Sequence, residues 1–508
     1  MEESVGAQEQ RREASGGLLA RNAIWNLIGC GAPLLIAVIV IPILIRGLGT
    51  AKYGTLAIAW GVVGYFGFLK VGLDFTLAKL VGERIGHDSQ DQIHGLFYTA
   101  LILLLFSGIA GGVILAAISR PLAYSWLHVP PELRAQVCTV FRIFALSLPF
   151  VISAACFVGT LWAYQRYDLA NKATVVTGIF TFAAPAAALA FSHSIVLIAV
   201  LWAAVQVLSW ALFLLLCVYV VPGLGLLPQG RRMWVRPLLT FGGWLSVGGL
   251  AEPIFLYSDR FFLGALVSLS AVAYYATPFE MVIRIWIIAD SLNGALLPAY
   301  SASFKSDGIR AMQLLERIGH YLFPIVLVIV LFAVLFAKEI LSLWIDPSFA
   351  AHSAVILQWL ALGVLFSSIA RIPWTLLIAA HRPDILGKLP LFEVFFYLVS
   401  LYFAIRYFGL EGAAITWTLR MAFNCFALHF ITWRLLPDTA RAMRKNAGLM
   451  IVSLSVLALT AVLPQLLAIR GLYFVLVSAT MLSWMWFYIL SSDERESLRL
   501  GWKWLVKA

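Results

Sequence analysis

The chain has 508 residues, 62% of them hydrophobic and only 12% charged, with a formal net charge of +11. Soluble domains carry about 25% charged residues, so this composition excludes the polar shell that a soluble protein of this size needs, and most of the surface must face an apolar medium. Nucleic acid is excluded as a partner because a basic patch needs a folded polar domain to carry it, and the excess charge is read instead as Lys and Arg concentrated in cytoplasmic loops.

In chain order, residues 1–21 form a polar cytoplasmic tail with Arg11 and Arg12 and without the apolar core of a cleavable signal peptide. A spanning helix needs about 20 mostly apolar residues. The first such stretches are Asn22–Ile45, Gly54–Ala78, Leu96–Ile118, Val140–Tyr164, Ala173–Phe191 and Ile195–Val220. A cytoplasmic loop, 221–237, separates them from Leu238–Ser258, Leu269–Pro298, Ile318–Ala337, Ser353–Ile378, Ile385–Ile405 and Gly412–Leu435. Two extra helices, Leu449–Ile469 and Gly471–Ser491, occupy 436–491. Residues 492–508 interleave Trp502 and Trp504 with Lys503 and Lys507, the pattern of a basic amphipathic helix lying on the lipid surface. The longest outer connection, Ser119 to Thr139, is expected to hold a short interfacial helix with Trp126. The expected fold is an all-α polytopic membrane protein of about fourteen spans.

The basic residues orient these spans. With the N-terminus inside, cytoplasmic segments hold 23 of the 36 Lys and Arg, outer segments hold 9, among them Arg260, and four lie within spans. That bias places both termini in the cytoplasm.

The two halves repeat. Ala163–Lys172 reads A-Y-Q-R-Y-D-L-A-N-K and Ala379–Lys388 reads A-A-H-R-P-D-I-L-G-K, so that Arg166, Asp168 and Lys172 match Arg382, Asp384 and Lys388 at an offset of 216. Trp202 matches Trp417 at offset 215, and Tyr53-Gly-Thr55 echoes Tyr275-Ala-Thr277 at offset 222. The repeat defines two pseudo-symmetric six-helix lobes, 22–220 and 238–435. A parallel repeat of this kind has its pseudo-two-fold axis along the membrane normal, and rocking of one bundle against the other opens a central cavity to alternate sides.

Charges inside spans cost roughly 2.5–3.5 kcal/mol each on insertion scales and tend to face a wet cavity or a partner. Lys70 and Asp74 lie four apart in the second helix, as do Glu280 and Arg284 in the corresponding eighth. Each is either a self-neutralised pair or a means of presenting a cation to an anionic group, a task that suits Arg for its forked donors. Arg371, next to Pro373, and Arg420 lie in the tenth and twelfth spans and either line the cavity or pair with Glu393 or Glu411. Asp74, Glu252, Asp290 and Glu393 are the candidate ion-coupling sites. Gly61, Gly64 and Gly67, and the pair Gly108 and Gly112, read as close-packing stripes. The five cysteines form no C-x-x-C and read as small apolar residues. No metal-binding H-E-x-x-H, no P-loop and no G-x-S-x-G elbow occurs, so no catalytic residue, metal or cofactor is expected.

The run R-N-A-I-W-N from Arg21, the run P-I-L-I-R-G-L-G-T-A-K-Y-G from Pro42 to Gly54, and V-G-L-D from Val71 resemble the polysaccharide biosynthesis flippases of the multidrug/oligosaccharidyl-lipid/polysaccharide exporter superfamily, which also holds the MATE drug antiporters. The resemblance implies a MATE-like pair of lobes in a bacterial inner membrane. It implies a flippase for undecaprenyl-pyrophosphate-linked oligosaccharide used in O-antigen, capsule or exopolysaccharide synthesis. The partners implied are the lipid-linked oligosaccharide, membrane lipids and the polysaccharide polymerase machinery. By their position in the spans rather than by a family motif, Lys70, Arg284, Arg371 and Arg420 are the candidate cavity cations, and Asn22 and Asn26 are candidate sugar contacts or helix–helix glue. A MATE-type drug or cation antiporter is the alternative, followed by a polytopic sugar polymerase or ligase, which would need a sizeable outer loop.

Overall fold

The computed structural model describes residues 35–70, 72–85, 90–225, 232–240, 250–291, 308–380, 382–464 and 466–490, with Pro33 and Arg495. Among these no residue is in a strand, and the chain is an all-helical, multi-pass membrane protein. Asn22, Asn26, the expected N-terminal tail and, apart from Arg495, the C-terminal tail lie outside the described residues. The first half contains α1 (Leu35–Leu48), α2 (Thr50–Tyr65), α3 (Leu73–Gly82), α4 (Gln90–Pro121), α5 (Arg134–Ala163), α6 (Tyr167–Ala188) and α7 (Ile195–Val220). There follow α8 (Ala251–Leu266), α9 (Leu269–Ile283), α10 (Gly308–Leu335), α11 (Ala337–Trp344), α12 (Pro347–Ala379), α13 (Pro383–Leu435), α14 (Ala440–Leu459) and α15 (Leu467–Trp484).

Eight of the described helices are long and apolar enough to cross a bilayer, or nine when α10 and α11, bent by 72°, count as one broken span. One of these, Asp384–Leu435, has 52 residues. At 1.5 Å per residue it would run to roughly 78 Å, against a hydrocarbon core of about 30 Å. It is two spans. Gly409 breaks the helix with φ 58° and ψ −132°. A Cβ on Gly412 would stand 2.1 Å from the Ala404 carbonyl oxygen, so the return of the chain requires glycine there. Each of the fourteen expected spans falls wholly or partly on a described helix. Two are displaced. The thirteenth begins at Ala440 and ends at Leu459 rather than running to Ile469, because hydropathy stays high across the turn before Pro464. Of the seventh, residues 235–240 and Ala251–Leu266 are described as helical, and the helix runs past the expected end at Ser258, which puts Arg260 inside it and 3% exposed. Arg260 therefore leaves the count of outer loop residues.

The helices form two compact units, Met1–Ala273 and Tyr274–Ala508. In the first, α5 packs against α3, α4 and α7. Glycines set these distances. A Cβ on Gly108 would come 2.5 Å from Pro149 Cα, and one on Gly112 would come 2.6 Å from the Ala145 carbonyl oxygen, so the G-x-x-x-G of α4 is a packing face. Phe144 and Trp202 stack at 4.3 Å and tie α5 to α7. Gly61 and Gly64 of α2 accommodate Tyr257 of α8, while Gly67 meets nothing within 4 Å. Thus α8 lies on α2 inside this unit. Beyond Pro121, the connection expected on the outer side carries a helical turn over Leu122–Trp126, with Trp126 exposed.

In the second unit α12 packs against α10 and α13, with the Trp417 ring seated on Gly363. Both α14 and α15 pack on α10. Arg470 of α15 donates to the Leu335 carbonyl at 2.7 Å and pairs with Glu339 at 2.6 Å, clamping α15 to the bend between α10 and α11.

The sequence repeat has a geometric counterpart. Arg166 Nε donates to Asp168 Oδ1 at 3.0 Å and its second guanidinium nitrogen to Oδ2 at 3.3 Å. Arg382 and Asp384 repeat this fork at 3.0 and 3.4 Å. Both arginines take the N-cap with ψ near 50° (52° and 51°), and both donate their backbone N–H at 2.9 Å to the carbonyl five residues back, on Leu161 and Leu377. Two copies of one turn follow the fourth helix of each half. The Arg166 hydrogen bonds hold the Asp168 carboxyl below the usual carboxylate range.

Glycine substitutions test the packing. A Cβ on Gly159 would lie 2.3 Å from the Asp74 carbonyl oxygen and 2.8 Å from its Cα, both backbone atoms. Overpacking costs about 1–3 kcal/mol, more than the roughly 1 kcal/mol of helix propensity that Gly→Ala returns. Gly159→Ala is expected to lower the melting temperature of the detergent-solubilised protein. Gly448→Ala, in α14 with nothing within 4 Å, is expected to leave it unchanged or raise it.

Candidate functional site

The second helix of the first half is interrupted. After α2 ends, Phe66–Lys70 form a 3₁₀ turn, Gly72 takes the left-handed conformation at φ 56° and ψ 21°, and α3 starts at Leu73. This break lies within the 33-residue span Thr50–Gly82. Lys70, half-buried, closes the turn just ahead of the N-terminus of α3. A helix N-terminus carries a positive partial charge of about half an electron, so Lys70 adds a full cation beside a positive dipole end. The expected i,i+4 pair of Lys70 with Asp74 does not form. That register requires a continuous helix, and the left-handed Gly72 stands between them. Asp74 instead accepts from the Phe75 backbone N–H at 2.9 Å. No ion pair joins Lys70 to a carboxylate among the described residues.

The corresponding helix of the second half is also interrupted, by a plain turn without a left-handed residue. α9 ends at Ile283, residues 284–285 form a turn, and helix resumes over 286–291. Arg284 therefore also stands at a helix break, and here the expected pair exists, with Arg284 on Glu280 at 3.0 Å. Beyond the break Asp290 pairs with Arg371 of α12 at 3.2 Å. The Arg371 guanidinium lies over the Trp286 ring at 5.6 Å and the Trp374 ring at 5.9 Å. The Trp286 indole N–H donates to Ser367 Oγ at 2.6 Å, which fixes the ring. The expected pairing of Arg371 with Glu393 or Glu411 is thus corrected, since the segment after the break brings Asp290 to α12 instead.

Arg420 does pair with Glu393, at 3.0 Å, and Asn424 donates to the other carboxylate oxygen at 2.7 Å. The side chains are 12% and 2% exposed, so this is a closed, satisfied cluster within α13. Glu252 is exposed in the first turn of α8. Sequence reasoning missed Asp259, Arg260 and the tryptophans around Arg371. Asp259 and Arg260 are buried at 1% and 3%, Arg260 donating to the Ala57 carbonyl at 3.4 Å, and neighbouring Ser258 meets the Tyr65 hydroxyl at 3.0 Å. A helix boundary placed at Ser258 hid them. Among the described residues no group of His, Cys, Asp or Glu could hold a metal ion. The four described cysteines are free and buried.

A family model described as "Polysaccharide biosynthesis protein" matches residues 19–304. A Shigella flexneri protein named "Putative O-antigen transporter" is 26% identical over 428 residues, covering 82% of this chain and 98% of that protein. Among solved structures, a multidrug resistance MATE family transporter of the MOP superfamily in an inward-facing conformation aligns with a TM-score of 0.69 at 14% identity, over 84% of this chain and 98% of its own. A MOP superfamily transporter from Pyrococcus furiosus aligns with a TM-score of 0.59 at 15% identity, over 85% and 96%. These structural likenesses establish the fold. The named relatives are transporters, in line with the expectation of a carrier rather than an enzyme.

The Glu393 cluster makes a prediction of its own. Removing one partner of a buried ion pair costs about 3–5 kcal/mol, because the other charge stays buried, whereas replacing both with apolar groups is often neutral. Arg420→Met alone is expected to collapse the folded yield and thermal stability. The double change Arg420→Met with Glu393→Leu is expected to recover most of both, measured by size-exclusion chromatography and thermal melts.

Proposed function

Because the chain belongs to the polysaccharide biosynthesis protein family, we propose that it is a flippase that carries an undecaprenyl-pyrophosphate-linked oligosaccharide across the bacterial inner membrane for O-antigen, capsule or exopolysaccharide synthesis. Both termini lie in the cytoplasm, and the lobes 22–220 and 238–435 work by alternating access. The observation that carries this reading is that corresponding helices of the two halves are each interrupted, with a cation at each interruption: Lys70 at one, Arg284 at the other. Discontinuous helices present dipole ends and unpaired backbone groups to a transported ion or headgroup. An anionic pyrophosphate is attracted to Lys or Arg far more strongly where the effective dielectric constant is low than in water. The polyprenyl tail stays in lipid, so only the headgroup needs a polar route. The released glycan then passes to the polymerase machinery.

The fold is shared with MATE drug antiporters, whose cationic cargo would call for unneutralised carboxylates. Here Glu280, Asp290 and Glu393 are each paired with an arginine, which favours anionic cargo, while Asp74 and Glu252 form no ion pair among the described residues.

A charge-assisted hydrogen bond contributes about 1.5–3 kcal/mol, so each lost cation costs about ten- to a hundredfold in headgroup affinity. The double variant Lys70→Ala with Arg284→Ala is expected to stop polymer export and to accumulate the lipid-linked intermediate on the cytoplasmic side, while the protein still inserts at normal levels. Arg284→Lys is expected to retain part of the export, since the charge persists without the fork. Normal export by the double variant would refute the assignment.

A further inference from the structure

We propose that Arg371, Asp290 and Trp374, backed by Trp286, form a subsite for an uncharged sugar ring of the cargo, separate in role from the cations that hold the pyrophosphate. The inference rests on the transport reading above and assigns the glycan end of the same cargo.

The first support is charge. Arg371 is ion-paired with Asp290 at 3.2 Å, so together they carry no net charge. A pyrophosphate approaching Arg371 would meet the Asp290 carboxylate, the more exposed partner at 52% against 28%, and would have to displace it, whereas in the Arg284–Glu280 pair the arginine is the more exposed partner, at 47% against 27%. A neutral hydroxyl meets no such penalty. It can donate to the carboxylate, which keeps free lone pairs, and accept from the guanidinium N–H groups directed away from Asp290. Lys70, with no carboxylate in ion-pair range among the described residues, has the opposite character and suits phosphate.

The second support is shape. A pyranose has faces of C–H bonds and a rim of hydroxyls. Its faces pack on flat aromatic rings, and its rim needs donors and acceptors in the ring plane. The Trp374 ring is 37% exposed beside the Arg371 guanidinium, which supplies that combination. Trp286 is held rigidly behind it. Its indole N–H is bonded to Ser367, Ser367 in turn donates to the Val364 carbonyl at 3.0 Å, and its ring lies against Trp417 at 6.4 Å. Such pre-fixing lowers the ordering cost of binding.

The third support is solvent. Asp290 is 52% exposed and Arg371 28% exposed. A charged pair left open to hydrocarbon costs several kcal/mol, so the surface that the pair lines is wet. The carboxylate that the sequence placed among ion-coupling candidates thereby becomes a hydroxyl acceptor.

The test uses the full-length chain in lipid nanodiscs and two soluble probes. One is the glycan released by mild acid from the host's own lipid-linked intermediate, freed of phosphate. The other is inorganic pyrophosphate. Saturation-transfer NMR and calorimetry report binding. Trp374→Ala and Asp290→Asn are expected to weaken glycan binding by at least about tenfold, the equivalent of one hydrogen bond or stacking contact. Trp374→Phe is expected to retain part of it, and pyrophosphate affinity is expected to stay within about twofold. Asp290→Asn, which uncovers the Arg371 charge, is further expected to gain affinity for methyl glucuronide, a reversal that loss of packing would not produce. Unchanged glycan binding in Trp374→Ala and Asp290→Asn overturns the proposal, as does wild-type protein that binds pyrophosphate but not glycan. Wild-type protein that binds neither probe refutes the transport assignment itself.

Discussion

In hydrocarbon a charge or an unsatisfied backbone group has no water to turn to, and that constraint governs the placement of the polar residues inside this chain. The buried charges Arg420 and Glu393 satisfy one another and take Asn424 as a third partner. The partly exposed ones cluster at helix interruptions or beside them, as Lys70, Arg284 and Asp290 do. The breaks and the charges therefore belong together. A broken helix frees backbone groups that require polar company, and a cation in a span requires a polar lining.

The second theme is duplication with divergence. The Arg-x-Asp turn has kept its forked hydrogen bonds and backbone angles in both copies. Both second helices are interrupted, but at different points of the repeat, since the offset of 222 maps Arg284 onto Val62 rather than Lys70, and the two breaks differ in chemistry. The first uses a 3₁₀ turn and a left-handed glycine, and its lysine stands apart from Asp74. The second uses a plain turn, and its arginine is neutralised by Glu280. On the functional reading proposed above, the first half supplies an open lysine, and the second supplies an arginine shared with Glu280 together with the Arg371–Asp290 pair and its aromatic rings.

Much of the architecture was legible in the sequence because hydropathy and the positive-inside bias report on the medium directly. The long apolar helices were readable this way, while the repeated Arg-x-Asp turn and the packing role of Gly108 and Gly112 were readable from residue identity and spacing. The errors share a cause. Hydropathy measures transfer to lipid and not backbone geometry, so it continued the thirteenth span past Leu459 and ended the seventh at Ser258, leaving Arg260 in a loop. It also joined Lys70 to Asp74 across Gly72. A glycine flanked by apolar residues reads as packing, and only its φ of 56° shows a break. The partner of Arg371 was unreadable for a different reason. Asp290 is 81 residues away, and nothing local in the chain marks such a pairing.

The clamp at Arg470 bears on the bend between α10 and α11. The last residue of α10 sits where a 72° bend ends the ladder, and helix ends leave carbonyls without donors. Arg470 supplies a donor to Leu335 and a counter-ion to Glu339 in one stroke. α15 thus closes the bend between α10 and α11. Without the Arg470 side chain, the Leu335 carbonyl and the Glu339 carboxylate would both lose this partner at once.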